Sequence, residues 1–447
     1  MTGKIRSIGA PILTAILILA TSFAVISYGR GYRLDILKKS VSPTGLITAT
    51  SDPMGATVFI DGKKHTATNA NINVSPGWYT VTIAKEGYQS WEKRIRVQGE
   101  VVARADAMLF PANPSLYAVT ANGAANPVPS PDGTKLAFIV PQTKESTASG
   151  QIINHEGIWV LDMTDKPLGL NRDARHVLTN EILPTDSALI TWSPDSKQLL
   201  LTVTYGKADR YYLIDADKTN DMATPVASLD VLGQEWQQLS DAREKERTLG
   251  LKEDLIAIAT ASMSIVSFSP DETKILYEAT RSATIPQIIT PPLIGTNPTE
   301  EVRTMKPGNL YVYDLKEDRN YLLGTTALLF PDNTTLLSCE TADKTGKPPN
   351  ITIGIKPGLQ QLLGNRCRRD TLSRNIQWLA SSRHLVISGK DRIDVMEYDG
   401  TNRKTVYAAP FLGGFVTPWP NGSKIIILTK FNPGASATPN LYAVNIR

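Results

Sequence analysis

Ser130-Pro131-Asp132-Gly133-Thr134-Lys135-Leu136-Ala137-Phe138 decides the fold, because the chain repeats it. It returns as Trp192-Ser193-Pro194-Asp195-Ser196-Lys197-Gln198-Leu199-Leu200 and as Phe268-Ser269-Pro270-Asp271-Glu272-Thr273-Lys274-Ile275-Leu276. Weaker copies stand at Phe330-Pro331-Asp332-Asn333, Trp378-Leu379-Ala380-Ser381-Ser382 and Trp419-Pro420-Asn421-Gly422-Ser423-Lys424. Proline presets the first turn dihedral, Asp or Asn closes the turn through its side chain, and glycine takes the left-handed position before a strand resumes. The unit is therefore strand, tight turn, strand, and its aspartates read as turn residues. A calcium loop needs further carboxylates at fixed offsets, and the repeats do not supply them.

Each turn leads on to a third strand: Ile158–Asp162, Tyr211–Asp215, Leu310–Asp314, Ile351–Ile355, Ile393–Glu397 and Leu441–Asn445. Several short strands recurring every roughly 40–75 residues predict propeller blades. The sequence stops at Arg447, just after a third strand, while Leu116-Tyr117-Ala118-Val119 precedes the first repeat without a blade of its own. That strand is expected to complete the last blade and so remove an open edge. The Ser-Pro-Asp-Gly units resemble those of TolB-type six-bladed propellers over residues 114–447. The resemblance implies a protein-interaction platform whose partners meet a central funnel or a face. Val231 to Ser262 breaks the repeat with Trp236, Leu239, Glu244, Lys245, Glu246, Leu255 and Ile258 in helical order. This helical insertion, residues 231–262, reads either as a decoration packed on one face or as a lid or docking arm near the funnel.

Before the repeats, Val58 and Ile60 alternate with Thr57 and Phe59, and Tyr79, Val81 and Ile83 alternate with Thr80, Thr82 and Ala84. Ile95 and Val97 continue the pattern, and Asp61-Gly62 and Pro76-Gly77 are turn signals. A compact antiparallel β-sandwich is expected. Three motifs in order resemble a PEGA domain over residues 45–110: Ser51-Asp52-Pro53-Met54-Gly55-Ala56-Thr57-Val58-Phe59-Ile60-Asp61-Gly62, Pro76-Gly77-Trp78-Tyr79-Thr80-Val81 and Glu86-Gly87-Tyr88-Gln89-Ser90-Trp91. The family's name-giving Pro-Glu-Gly-Ala reads Pro53-Met54-Gly55-Ala56 here. Pro53 and Gly55 would shape a turn, Gly77 would reverse the chain before Tyr79, and Gly87 with Tyr88 would turn an aromatic lid onto the core. Trp78 and Trp91 read either as core or as an exposed aromatic platform. The resemblance implies a non-enzymatic surface domain outside the cytoplasm.

Between Arg6 and Arg30 no residue is charged, and Ile12 to Ile26 is dominated by apolar side chains. A helix of about 20 residues crosses a hydrocarbon layer roughly 30 Å thick. Residues 1–28 are therefore expected to form a cytoplasmic tip and transmembrane anchor, with 29–44 as a polar juxtamembrane linker. A cleaved signal peptide is the alternative, with small residues at Ser22-Phe23-Ala24. Lys4 and Arg6 before the span against Arg30, Arg33, Lys38 and Lys39 after it would place the bulk of the chain inside. The PEGA resemblance points outward, and a single-pass protein of the cell membrane with its bulk extracytoplasmic is expected. The fold class is all-β: one N-terminal transmembrane helix, a small PEGA-like β-sandwich, then a TolB-like β-propeller of about six blades with a helical insertion.

The 447 residues are 41% hydrophobic and 20% charged, and 47 Lys and Arg against 43 Asp and Glu leave a net charge of +4. That is globular composition with a near-neutral balance, not the concentrated basic face of a nucleic-acid binder. The short clusters Lys93-Arg94 with Arg96 and Arg366 with Arg368-Arg369 read as solvated surface. Cys339 and Cys367 make no disulfide framework, and whether they pair stays open. His65, His155, His176 and His384 show no zinc spacing. Nucleophile elbows, phosphate loops and dinucleotide fingerprints are absent from the sequence.

No cofactor, metal or catalytic residue is therefore assigned, and the chain is expected to be a non-enzymatic binding or scaffold protein for a protein partner or a cell-envelope polymer. Two other readings stay open. One is an enzyme on an envelope glycan with its site in the funnel, for which Asp186, Asp209 and His155 are acid–base candidates if they are not solvated loop residues. The other is a structural surface-layer component.

Overall fold

The computed structural model describes residues 2–29, 32–35, 40–141, 155–164, 174–186, 188–206, 208–330, 367–412, 414–431 and 438–447. The chain divides into two units, Met1–Leu109 with Ile289–Glu300, and Phe110–Ile288 with Glu301–Arg447.

In the first unit, alternation decides which face turns inward. Along Gly45–Asp52 every second residue is buried, Ile47 and Ala49 among them. The same period buries Val58 and Ile60, Val81 and Ile83, and Trp91, Ile95 and Val97. One sheet orders Lys63–Ala67, Thr57–Ile60, Gly77–Ala84 and Trp91–Val97, and the other Ala70–Val74, Gly45–Asp52 and Val102–Met108. Their inner faces share one apolar core. The expected antiparallel sandwich carries one parallel pair, with Leu46 of Gly45–Asp52 opposite Val102. Asp61 and Gly62 both take positive φ, 48° and 78°, as a two-residue hairpin turn demands. Gly77, expected to reverse the chain, instead starts a strand with no left-handed backbone.

The expected transmembrane anchor is corrected. Helix α1 spans Thr2–Gly29, but among the described residues no helix is long and apolar enough to cross a membrane. Residues 29–44, expected as a linker, carry an antiparallel pair of Tyr32–Asp35 with Ser40–Pro43.

The second unit is built from four-stranded antiparallel sheets, five of them among the described residues. Sheet one is Ala125–Pro129, Lys135–Val140, Gly157–Asp162 and Arg175–Thr179; sheet two is Leu189–Trp192, Gln198–Tyr205, Ala208–Asp215 and Thr224–Pro225. Sheet three is Met263–Phe268, Lys274–Ala279, Asn309–Asp314 and Arg319–Thr325; sheet four is Ile376–Trp378, His384–Ser388, Arg392–Glu397 and Lys404–Ala408. Sheet five is Val416–Pro418, Lys424–Thr429 and Asn440–Asn445, completed by Leu116–Ala118, with Leu116 opposite Val444 and Tyr117 opposite Ala443. The strand before the first repeat thus closes the last sheet.

Alternation gives each sheet two apolar faces, and these pack against neighbouring sheets, with helix Leu229–Thr248 bridging sheets two and three. Ala137, Ile139 and Val160 of sheet one meet Leu199, Leu201 and Val203 of sheet two. Leu276, Val312 and Tyr321 of sheet three meet Leu385, Ile387 and Met396 of sheet four. Leu136 and Phe138 return sheet one to Ile426 and Leu441 of sheet five. Gln377 Nε2 of sheet four donates to Val416 O of sheet five at 2.6 Å. Meandering sheets packed face to face in this way make a β-propeller.

Sheets three and four are direct neighbours, so no blade stands between them among the described residues. The fourth expected repeat, Phe330–Asn333 with Ile351–Ile355, lies outside the described residues except for Phe330, which is buried in the core between sheets three and four.

The insertion at residues 231–262 is two helices, α2 (Leu229–Thr248) and α3 (Glu253–Ser262). Ser228 caps α2, its hydroxyl accepting from Val231 N. Leu232 and Trp236 of α2 cover Leu200, Tyr211 and Leu213 of sheet two. Leu255 of α3 covers Ile275, Tyr277 and Tyr311 of sheet three. Arg243 Nη1 of α2 donates to Pro194 O at 3.4 Å, while Arg247 Nε pairs with Glu272 at 3.0 Å, so one helix ties the turns of sheets two and three. One face of the helical pair packs against those two sheets.

Candidate functional site

The repeated aspartates are committed to their turns. Ser130 Oγ donates to Asp132 Oδ1 at 2.5 Å and accepts from Lys135 N at 2.9 Å. Ser193 with Asp195 and Ser269 with Asp271 repeat the bond at 2.6 and 2.7 Å. Partial burial pushes the Asp271 carboxyl up, but bonds from Ser269 and Thr273, aided by the Lys274 charge, outweigh it and hold the group at about 2. Asp132 is held down in the same way by Ser130, Thr134 and Ser196. The turns also join blades: Asp132 N donates to Ser196 Oγ at 3.2 Å, and Asp271 N to Ser382 Oγ at 3.0 Å.

The three acid–base candidates sit on different connections. Asp186 lies between Arg175–Thr179 and Leu189–Trp192. Asp209 stands opposite Thr204 at a hairpin end and accepts from its hydroxyl at 2.9 Å. His155 precedes Gly157–Asp162, and its carbonyl accepts from Trp159 Nε1 at 2.8 Å. Trp159 stacks on His176 at 4.7 Å and 8°. His384 is buried, with Nδ1 3.2 Å from Ser381 Oγ, and His65 lies on the exposed edge strand of the sandwich. Among the described residues no group of His, Cys, Asp and Glu could hold a metal ion. Cys339 and the side chain of Cys367 lie outside the described residues.

First strands of neighbouring blades approach one another, Ala125–Pro129 with Leu189–Trp192 and Ile376–Trp378 with Val416–Pro418, so these strands line the axis. A helix that the sequence reading missed, Cys367–Asn375, lies against the first strands of sheets three, four and five. Burial raises the Asp370 carboxyl on this helix, opposed by the Arg369 and Arg374 charges. The chain itself thus occupies part of the axial region where a funnel site was sought.

The sandwich presents a different surface. Trp91 is 3% exposed and sits in the core, whereas Trp78 is 48% exposed. Strand period explains the split. Trp78 shares the outward face with Thr80 and Thr82, opposite the inward Val81 and Ile83. On the next strand Glu92, Arg94 and Arg96 point outward while Trp91, Ile95 and Val97 point in. Register sets Trp78 beside Arg96, Thr80 beside Arg94 and Thr82 beside Glu92. The Arg94 guanidinium lies 5.0 Å from the Trp78 ring centre, and Thr82 Oγ1 donates to Glu92 at 3.1 Å. On the far side of the same face Phe59 stands between Thr82 and Lys64. An indole face flanked by guanidinium groups can stack a flat or apolar ring face and pair with an anion.

The family model of the PEGA domain matches residues 44–113. No curated protein matches the chain by sequence. Among solved structures, a TolB protein of Agrobacterium tumefaciens is 12% identical, with 70% of this chain and 76% of that one covered and a TM-score of 0.19. TolB of Acinetobacter baumannii is 11% identical over 82% and 59% of the two chains, with a TM-score of 0.20. The Kuenenia stuttgartiensis hydrazine synthase is 12% identical over 90% and 95%, with a TM-score of 0.18. The aromatic and basic face described above belongs to the PEGA domain. Its tryptophan was singled out in the sequence, but its arginines were read only as solvated surface. The signal that finds them is the alternation itself, which sends Arg94 and Arg96 to the same face as Trp78.

Proposed function

We propose that this chain is a non-enzymatic binding and scaffold protein that works outside the cytoplasm, with its PEGA domain and propeller as recognition surfaces for a protein partner or a cell-envelope polymer. The observation that carries the reading is the half-exposed Trp78, held by Arg94 on the outer face of the PEGA sheet. A stable fold gains by burying an indole, and here the second tryptophan is left on the surface among cations. The turn aspartates, in contrast, are bonded to their own serines and threonines and are poorly placed for proton transfer.

Two measurements test the proposal. A C-terminal tag is expected to be cut by added protease in intact cells; protection until lysis would place the chain inside and overturn the extracytoplasmic part. Immobilised full-length protein is expected to retain a defined protein or polymer from an envelope extract, and retention of nothing above a blank matrix would overturn the binding part.

A further inference from the structure

We propose that the outer face of the PEGA sheet binds an acidic glycan, with Trp78 stacking on a sugar ring and Arg94 and Arg96 pairing with carboxylates on the same polymer. This rests on the binding reading above and names the ligand class of that surface.

Chemistry on the face selects the class. Arg94 and Arg96 stand two residues apart on one strand and on the same side, so their Cα atoms repeat at roughly 7 Å along it. Their register partners are Thr80 and Trp78. Among the described residues no carboxylate forms an ion pair with Arg94 or Arg96. The outward carboxylate of the row, Glu92, accepts from Thr82. Two guanidinium groups without a carboxylate partner beside an exposed ring make a face whose charge is complementary to a polyanion.

The ring narrows the polyanion further. A pyranose presents an axial C–H face that an indole covers, and an anionic substituent in the ring plane would then reach a flanking guanidinium. Single-stranded nucleic acid also combines rings with anions, but it is held by successive aromatic platforms along a groove. Here the exposed Trp78 and the half-buried Phe59 share a flat sheet face, not a groove, with the hydroxyls of Thr80 and Thr82 between them. Those hydroxyls suit a hydroxyl-rich polymer.

The test uses the full-length chain with three probes of matched length: polygalacturonate, neutral dextran and oligothymidylate. Polygalacturonate is expected to bind, more weakly as salt rises, and more tightly than either other probe. Trp78→Ala is expected to weaken it roughly tenfold, Trp78→Tyr to retain most of the affinity, and Arg94→Gln with Arg96→Gln to abolish it and flatten the salt dependence. Melting temperatures of these variants should match the parent, since the altered side chains are outside the core. Absent binding of polygalacturonate, tighter binding of oligothymidylate, or affinity unchanged in Trp78→Ala would each overturn the assignment. Retention of an envelope component by a chain that ignores polygalacturonate would remove the glycan assignment and leave the binding reading intact. Failure of both would remove the binding reading as well.

Discussion

In the third repeat one hydroxyl serves two bonds: Ser269 Oγ donates to Asp271 and accepts from Lys274 N at 2.9 Å. Ser269 is itself buried, so Ser269→Ala leaves a backbone N–H without its acceptor. The expected cost is about 1–3 kcal/mol, read by urea unfolding. Acid acts on the same turn. The folded Asp271 carboxyl at about 2 lies below its ordinary 3.8, so the folded state holds that proton less tightly than the unfolded state. Its contribution is complete above 3.8 and is lost as pH falls toward 2. Asp271→Asn is expected to flatten stability across that window; an unchanged acid limb would contradict the assignment. The tryptophans give a second contrast. Trp91→Ala empties a core site and is expected to cost about 3–5 kcal/mol, whereas Trp78→Ala should stay within about 0.5 kcal/mol, measured in the same unfolding series.

Helix α2 shows what an element contributes beyond its sequence pattern. Trp236 and Leu239 both stand in the helical order of the sequence, yet Trp236 is buried against sheet two while Leu239 is 47% exposed. Trp236→Ala would uncover Leu200 and Leu213, and a loss of about 3–5 kcal/mol is expected. Leu239→Ala serves as the control and should shift the unfolding midpoint little. A comparable loss in both variants would show that α2 packs by its whole stripe. Helix Cys367–Asn375 was not legible in advance, because a short polar helix has no apolar period to announce it.

For the whole molecule the decisive bonds join residues more than three hundred positions apart. Asn440 Oδ1 accepts from Gly123 N at 2.9 Å and Thr120 Oγ1 at 3.0 Å, and Leu441 N donates to Thr120 Oγ1 at 2.9 Å. These lock the closing strand Leu116–Ala118 onto the last blade. Asn440→Ala leaves Gly123 N without its acceptor, and an expected loss of about 1–3 kcal/mol should appear chiefly as faster unfolding of the ring, measured by stopped-flow. If the unfolding rate held while folding slowed, closure would already be made in the transition state.

Local chemistry was enough for the sandwich, the Ser-Pro-Asp turns and the closing strand. Period-two alternation and turn residues act over a few positions, and the sequence states them directly. Three matters needed the tertiary structure. The uncharged stretch between Arg6 and Arg30 reads as an anchor, whereas among the described residues no helix is long and apolar enough to cross a membrane. Sheets three and four are neighbours because Leu276 and Tyr321 find Leu385 and Met396, a choice of partner that no repeat spacing encodes. And the cations of the outer sheet face became a site only when strand pairing set Arg96 beside Trp78 and brought the Arg94 guanidinium over the indole, since a cluster in sequence becomes a surface only through register.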